Sequence, residues 1–159
     1  MYKRQLPASI TVDSLGSWTD FVGDEYKAFS GTAVYTTTIN KVPVADVIKL
    51  NLGTVAENAS VYLNGEYIGT VIDSPYQLYI PAEKFKGQDE LVVRVANSMA
   101  NRIAYMDKKG VDWKIFYNVN MSARKKENVK NGIFDASDWE PKSSGLLGPV
   151  TLTPAMVKQ

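Results

Sequence analysis

Histidine and cysteine, the side chains behind most nucleophilic and zinc chemistry, are both missing from this 159-residue chain. Their absence excludes disulfides, thiolate and imidazole metal ligands, and catalytic triads that depend on His or Cys. The chemistry that remains open uses oxygen: carboxylate pairs, Ser-Lys dyads, tyrosine, and calcium held by oxygen ligands. With a net charge of +1, the chain has no global field for a polyanion, so we expect no nucleic-acid partner. Its longest apolar stretches are too short to span a bilayer, so we expect no membrane insertion.

The richest cluster of aromatic and polar side chains lies between residues 97 and 148. A pyranose ring can stack its C–H face on an aromatic ring, while its hydroxyl groups need planar polar partners. This segment supplies both types of side chain. We therefore predict a carbohydrate-binding surface formed by Asn101, Arg102, Tyr105, Asp107, Trp113, Tyr117 and Trp139.

These side chains also have a structural alternative. Trp113 and Trp139 could close one end of the fold and form a small core beneath the long segment. The guanidinium of Arg102 offers five donors in a fixed fork, which could satisfy backbone carbonyls of that segment instead of a sugar. For Trp18, which precedes the first long strand, we expect a structural role.

Acidic residues raise the question of a metal ion. Asp20, Asp24 and Glu25 lie close together, and oxygen ligands of this kind suit a structural calcium ion. Their spacing matches no calcium-loop motif, so a solvated acidic loop is the simpler interpretation, and the same applies to Asp135 and Asp138. We therefore expect no cofactor, with structural calcium left open but supported by no motif.

The elements that must position these groups are mainly strands. Apolar and polar residues alternate through residues 9–96, which predicts a series of half-buried strands. They are expected near residues 9–15, at 31–39, 48–52, 59–63, 67–72, 76–80 and 91–96, and again at 149–153. The pair Asn64-Gly65 lies between two such runs and predicts a type I′ hairpin turn.

Residues 97–148 lack this alternation, apart from one short run at 113–119, yet they are too apolar for a disordered linker. Long ordered connections of this kind are usually functional or cover something. We therefore predict an all-β chain: one antiparallel jelly-roll β-sandwich domain over residues 1–159, with a long irregular loop insertion at 97–148. The first seven residues contain basic side chains but no apolar segment, so we expect no signal peptide within this chain.

Seven stretches of this sequence together resemble the galactose-binding-like β-sandwich of family 2 glycoside hydrolases. They are more similar still to the C-terminal sandwich of bacterial α-L-rhamnosidases of glycoside hydrolase family 106. The stretches are FSGTAVY (29–35), LGTVAENA (52–59), VYLNG (61–65), IG (68–69), SPY (74–76), VANSMANRI (95–103) and SSGLLGPV (143–150).

The resemblance implies a sandwich attached to a catalytic (β/α)8 barrel that holds the catalytic carboxylates, so none is carried over to this chain. It implies a non-catalytic, carbohydrate-binding accessory domain of a larger bacterial enzyme. The expected partners are a weakly bound glycan, that barrel and neighbouring domains, and the expected location is secreted or periplasmic. Two alternatives stay open. The domain could be a structural module that packs on the barrel without binding sugar, or a stand-alone glycoside hydrolase, since sequence alone gives no carboxylate separation.

Overall fold

The computed structural model describes residues 6–115 and 125–155, and the chain divides into two compact units. The first, here the helical unit, comprises Met1–Ser9, Thr19–Ser30 and Ser98–Lys142. The second, here the sandwich unit, comprises Ile10–Trp18, Gly31–Asn97 and Ser143–Gln159. A single domain over residues 1–159 stays a prediction.

Strands dominate the described residues, and two α-helices accompany them. The helices are α1 (Asp24–Lys27) and α2 (Ala100–Lys108). The strands are β1 (Thr32–Ile39), β2 (Val47–Asn51), β3 (Thr54–Ala56), β4 (Asn58–Leu63), β5 (Glu66–Val71), β6 (Gln77–Pro81), β7 (Asp89–Ala96), β8 (Val129–Lys130), β9 (Ile133–Phe134), β10 (Gly145–Gly148) and β11 (Thr151–Ala155).

The sandwich unit is built from antiparallel sheets. Four strands pair in the order β1-β7-β4-β5, three pair in the order β11-β2-β6, and β3 pairs with β10. Leu50 and Ile80 from the three-stranded sheet share one buried core with Val61 and Val93 from the four-stranded sheet. The two sheets thus bury their apolar faces against each other, as in a β-sandwich. The predicted all-β sandwich is confirmed, whereas its jelly-roll connectivity stays a prediction.

The hairpin between β4 and β5 has the predicted geometry. Asn64 and Gly65 have φ angles of 51° and 81°, and a type I′ turn requires positive φ at both central positions. The Asn64 side chain also ties the hairpin to β7, because its amide nitrogen donates to Asp89 and its carbonyl oxygen accepts from the Glu90 backbone. Both the turn and its anchor therefore depend on Asn64.

The helical unit corrects the prediction of an irregular loop at residues 97–148. That segment contains the nine-residue helix α2 and the short β8–β9 hairpin. No side chain caps the start of α2, and only Ile103 packs from it against the small core of Phe134 and Ala136. The helix is short, polar on average and has no capping side chain, so neither a cap nor a long apolar run marks it in the sequence.

One predicted strand is absent from the described structure, and a second is described only in part. Residues 9–15 form no strand, and Ile10 and Val12 are exposed because they have no partner strand to bury them. In the run at 113–119, residues 113–115 are not a strand, and the rest of that run lies outside the described residues. Among the described helices, none combines the length and apolar character needed to cross a membrane.

Candidate functional site

A cleft of about 470 Å³ opens on the surface of the helical unit. Two predicted site aromatics, Tyr105 and Trp139, line it together with charged side chains from three segments. Its lining consists of Asp24, Lys27 and Ala28 around α1, Asn101, Ala104, Tyr105, Lys108 and Lys109 on or just after α2, and Ser137, Asp138, Trp139, Glu140 and Pro141. The cleft thus combines aromatic rings with both signs of charge.

Tyr105 lies at the centre of the α2 contribution. Residues three and four positions apart share one face of a helix, so Asn101, Tyr105 and Lys108 all reach the cleft. The guanidinium of Arg102 lies 5.6 Å from the centre of the Tyr105 ring, and the ammonium of Lys109 lies 5.5 Å from it. Both are cation–π distances, so the two cations restrain the tyrosine ring.

Trp139 is held in place from two sides. Its indole nitrogen donates a 2.8 Å hydrogen bond to Oδ1 of the buried Asn128, and its ring meets Phe134 edge to face at a centroid distance of 5.8 Å. The ring lines both the cleft and a second depression beside Lys125, Glu127 and Lys142. Its position is therefore fixed by packing while part of the ring still borders solvent.

Asn101 uses its side chain within the protein. Its amide nitrogen donates to the Lys142 carbonyl at 2.8 Å, and its carbonyl oxygen accepts from the Lys142 backbone N–H, also at 2.8 Å. Asn101 is almost fully buried at 5% exposure. This two-point contact fixes residue 142 against α2, so the amide of Asn101 supports the wall of the cleft.

Asp107 is also committed to the fold. Its fully buried carboxylate accepts from Trp113 Nε1 at 2.7 Å, from the Lys114 ammonium at 2.6 Å and from the Ala136 backbone N–H at 2.8 Å. Trp113 is half-buried and packs on the core of Phe134 and Ala136. Asp107 and Trp113 therefore join the end of α2 to the segment that follows β9.

Acidic side chains near the cleft pair with lysines. Asp24 lies 3.2 Å from the ammonium of Lys109, and Asp135 and Asp138 lie 3.4 Å and 3.1 Å from that of Lys130. Hydrogen bonding to Asp138 raises the pKa of Lys130, and a hydrogen bond from the Ser137 hydroxyl lowers the pKa of Asp135. In the described parts of the chain, no group of three or more acidic side chains is arranged to hold a metal ion.

The structure brings three of the seven predicted site residues to the cleft: Asn101, Tyr105 and Trp139. Arg102 contacts the Tyr105 ring, Asp107 and Trp113 form the neighbouring anchor, and Tyr117 lies outside the described residues. The sequence analysis missed Lys27, Lys108, Lys109 and Glu140 in the charged lining, and it considered Asp24 and Asp138 only as possible calcium ligands. Helical spacing from Asn101 would have placed Lys108 and Lys109 on the cleft side of α2, had a helix been predicted.

Comparisons with known proteins agree with the sequence resemblance. No protein-family model matches the chain. A Formosa agariphila protein named "Putative beta-glucuronidase" is 32% identical in an alignment of 158 residues that covers 90% of this chain. A solved rhamnosidase from Novosphingobium sp. PP1Y superposes on 92% of this chain with a TM-score of 0.74 and 29% identity. A β-glucuronidase from Ruminococcus gnavus covers 59% at 23% identity, with a TM-score of 0.48.

The chain spans only a small part of these proteins: 14% of the Formosa protein and 13% of the rhamnosidase. Over most of its own length it is similar to one small, mostly β domain within much larger glycoside hydrolases. The resemblance to a β domain of glycoside hydrolases, the rhamnosidase type included, is therefore confirmed.

Proposed function

We propose that this chain is an accessory domain of a large, α-L-rhamnosidase-like glycoside hydrolase, and that it holds a glycan weakly in the cleft of the helical unit. The single observation that carries the proposal is that Tyr105 and Trp139 both line that cleft. Its volume of about 470 Å³ lies within the usual range for small-molecule sites. The match to one domain of much larger hydrolases supplies the context.

The lining suits a sugar because it offers both kinds of contact that a pyranose needs. Aromatic rings can stack on the apolar face of the sugar, and each such contact contributes about 0.5–1.5 kcal/mol beyond burial. Lys27, Lys108 and Glu140 supply donors and acceptors for hydroxyl groups. The Asn101 amide is already hydrogen-bonded to the Lys142 backbone, so few fixed polar groups remain to bind a sugar. We therefore expect the glycan to bind weakly.

On this proposal, catalysis in the parent enzyme belongs to a different domain, as the family resemblance implies. A glycosidase general acid requires a carboxyl group whose pKa is raised. Burial raises the pKa of Asp89, but hydrogen bonds from Asn64, Lys86 and Gly87 outweigh it, so the net shift is downward. The pKa of Asp135 is also lowered. Neither carboxylate therefore has the property that a general acid needs.

A second candidate is a structural module that packs against neighbouring domains without binding sugar. The observation in its favour is that Asn101, Asp107 and Trp113 direct their polar atoms into the fold. In such a module the cleft would result only from the packing of α2 against the segment at 137–141, and it would bind no sugar.

Glycan binding to matched variants separates the two candidates. After a glycan-array screen of the wild-type domain, calorimetry on the best sugar should show Tyr105→Ala lowering affinity about three- to tenfold, the value of one stacking contact. Tyr79, an exposed tyrosine on β6, provides the control, and Tyr79→Ala should leave affinity unchanged. Absence of any wild-type binding, or equal loss in both variants, would reject the cleft and favour the structural module.

A further inference from the structure

The outer face of the four-stranded sheet carries two rows of side chains that lie outside the core, most of them exposed and Ser60, Tyr62 and Val92 half-buried. Residues directly opposite on paired strands lie on the same side of a sheet, so register defines each row. One row runs Val34, Arg94, Ser60, Thr70 and the other runs Thr36, Val92, Tyr62, Tyr67. Alternate residues such as Val61, Val93 and Val95 point into the core. These two rows are called the outer face below.

Arg94 is the positively charged residue of this face, and its position is set by contact with an aromatic ring. Its guanidinium lies 4.8 Å from the centre of the Tyr62 ring, a stacking contact that leaves the edge donors of the fork free. In the described part of the chain, no carboxylate pairs with it. Glu90, on the same side of β7, is four residues away, or about 13 Å along the strand. A negative charge from outside would therefore complement Arg94.

A short chain of hydroxyl groups lies beside Arg94. Ser60, directly opposite Arg94, lies 2.7 Å from the Thr70 hydroxyl, which in turn lies 2.9 Å from the hydroxyl of Tyr67. Tyr67 is 56% exposed, and its ring meets the Tyr62 ring at a centroid distance of 5.5 Å with a 60° tilt. The outer face thus combines a stacked guanidinium, linked hydroxyls and an exposed aromatic ring.

We propose that the outer face is a second glycan-binding site, specific for an acidic sugar. The Arg94 fork would receive the carboxylate or sulfate group, because a guanidinium makes paired hydrogen bonds to planar or tetrahedral oxyanions. The Tyr67 ring would stack on the pyranose, and Ser60 and Thr70 would bond its hydroxyls. Only two aliphatic side chains, Val34 and Val92, lie in these rows. The core of a protein–protein interface is more apolar than this, so the face suits a sugar better than a protein partner.

This site belongs to the sandwich unit and shares no residue with the cleft, so it does not depend on the proposed cleft function. Three oligosaccharides of equal length test it by calorimetry or NMR titration: an oligogalacturonide with carboxylates, a carrageenan oligosaccharide with sulfates, and neutral cellohexaose. Binding of at least one acidic probe is expected, with the neutral probe at least about tenfold weaker, as loss of a charge-assisted contact implies. The acidic probe that binds identifies the anion.

Matched variants assign the binding to the outer face. Arg94→Ala should weaken the acidic probe at least about tenfold, and Arg94→Lys should recover only part of it, since a point charge cannot replace the fork. Lys41→Ala removes one exposed positive charge elsewhere in the same unit and should change little. Unchanged melting temperatures of the variants would exclude misfolding as the cause of weaker binding. Unchanged binding of the acidic probe by Tyr105→Ala would exclude the cleft as its binding site. Equal affinity for neutral and acidic probes, no binding of any probe, or full binding by Arg94→Ala would overturn the proposal.

Discussion

The indole nitrogen of Trp113 donates a 2.7 Å hydrogen bond to the fully buried carboxylate of Asp107. Lys114 and the backbone of Ala136 supply the other donors to the same carboxylate. A buried charge is tolerated only when it is paired and hydrogen-bonded, and here three donors compensate it. The pair therefore holds the end of α2 against the segment after β9, which forms one wall of the candidate cleft.

Replacement of Asp107 should destabilise the helical unit. In Asp107→Ala, the Lys114 ammonium, the Trp113 indole and the Ala136 N–H all lose their common acceptor. Removing one partner of a buried pair costs on the order of 3–5 kcal/mol. Urea unfolding followed by tryptophan fluorescence should show a loss of about 3 kcal/mol or more. The exposed Asp112 provides the control: Asp112→Ala should stay within about 0.5 kcal/mol of the wild type, as surface substitutions do. Equal effects of the two substitutions would contradict the anchor.

Two glycines with positive φ should respond differently to alanine. Gly65 has φ +81° and nothing within 4 Å of an added Cβ, so Gly65→Ala carries only backbone strain, about 1 kcal/mol. Gly53 has φ +68°, and its Cβ would collide with the backbone of Gly148 and Pro149. Gly53→Ala should therefore cost clearly more, about 3 kcal/mol or above.

Chemical denaturation of both alanine variants and of Gly65→Asn provides the measurement. Asparagine tolerates positive φ better than other side chains, so Gly65→Asn should be milder than Gly65→Ala. A Gly53→Ala variant as stable as Gly65→Ala would contradict this, because it would show that the backbone near residue 148 moves at little cost to make room for the added Cβ.

The sandwich was predictable because its signals are local. Alternation at Ile48 and Leu50, and again at Ala59 and Val61, places one face of each strand in the core, and all four side chains are buried. The Asn64-Gly65 pair likewise specifies its own turn. Alternation failed near Ile10 because a strand also needs a partner, and pairing is decided by the rest of the chain.

The candidate site was predictable only in part, because its geometry depends on long-range contacts. Tyr105 and Trp139 were identified by residue type, yet their shared cleft depends on α2, a short polar helix that has no capping side chain to mark it in the sequence. The roles of Asn101 and Asp107 were less accessible still. Their acceptors and donors, Lys142 and Ala136, lie 41 and 29 residues away in sequence. The residue types showed that these side chains are polar, but not that their polar atoms are hydrogen-bonded within the protein.

Asp89 should make the stability of the sandwich unit depend on acid pH. Burial raises its pKa, but hydrogen bonds from the Asn64 amide and from the Lys86 and Gly87 backbones lower the pKa by more, so the folded-state pKa lies below the ordinary 3.8. The folded state thus favours the charged form. The resulting stability is complete above the unfolded-state pKa near 3.8 and is lost as the pH falls through the lower folded-state pKa.

Urea unfolding at pH 7, 4, 3 and 2 tests the role of Asp89. Asp89→Asn should be less stable than the wild type at pH 7. The difference should shrink as the pH falls below about 3.8, because the unfolded wild type is protonated there before the folded protein is, and this proton uptake favours unfolding. Asp46 is exposed, and Asp46→Asn should follow the wild-type curve at every pH. A constant difference between wild type and Asp89→Asn across this range would show that the Asp89 charge adds nothing to folding.

The isolated chain should hydrolyse no glycoside. Retaining and inverting enzymes both need a protonated carboxylic acid beside a second carboxylate, and the proposed accessory role leaves that pair to another domain of the parent enzyme. Incubation with aryl α-L-rhamnoside and aryl β-glucuronide should therefore release chromophore no faster than buffer does. Asp138 and Glu140 line the cleft and are the side chains to test if any turnover is detected. Turnover that disappears in Asp138→Asn or Glu140→Gln, while Asp112→Asn keeps it, would make the chain a hydrolase in its own right and overturn its assignment as an accessory domain.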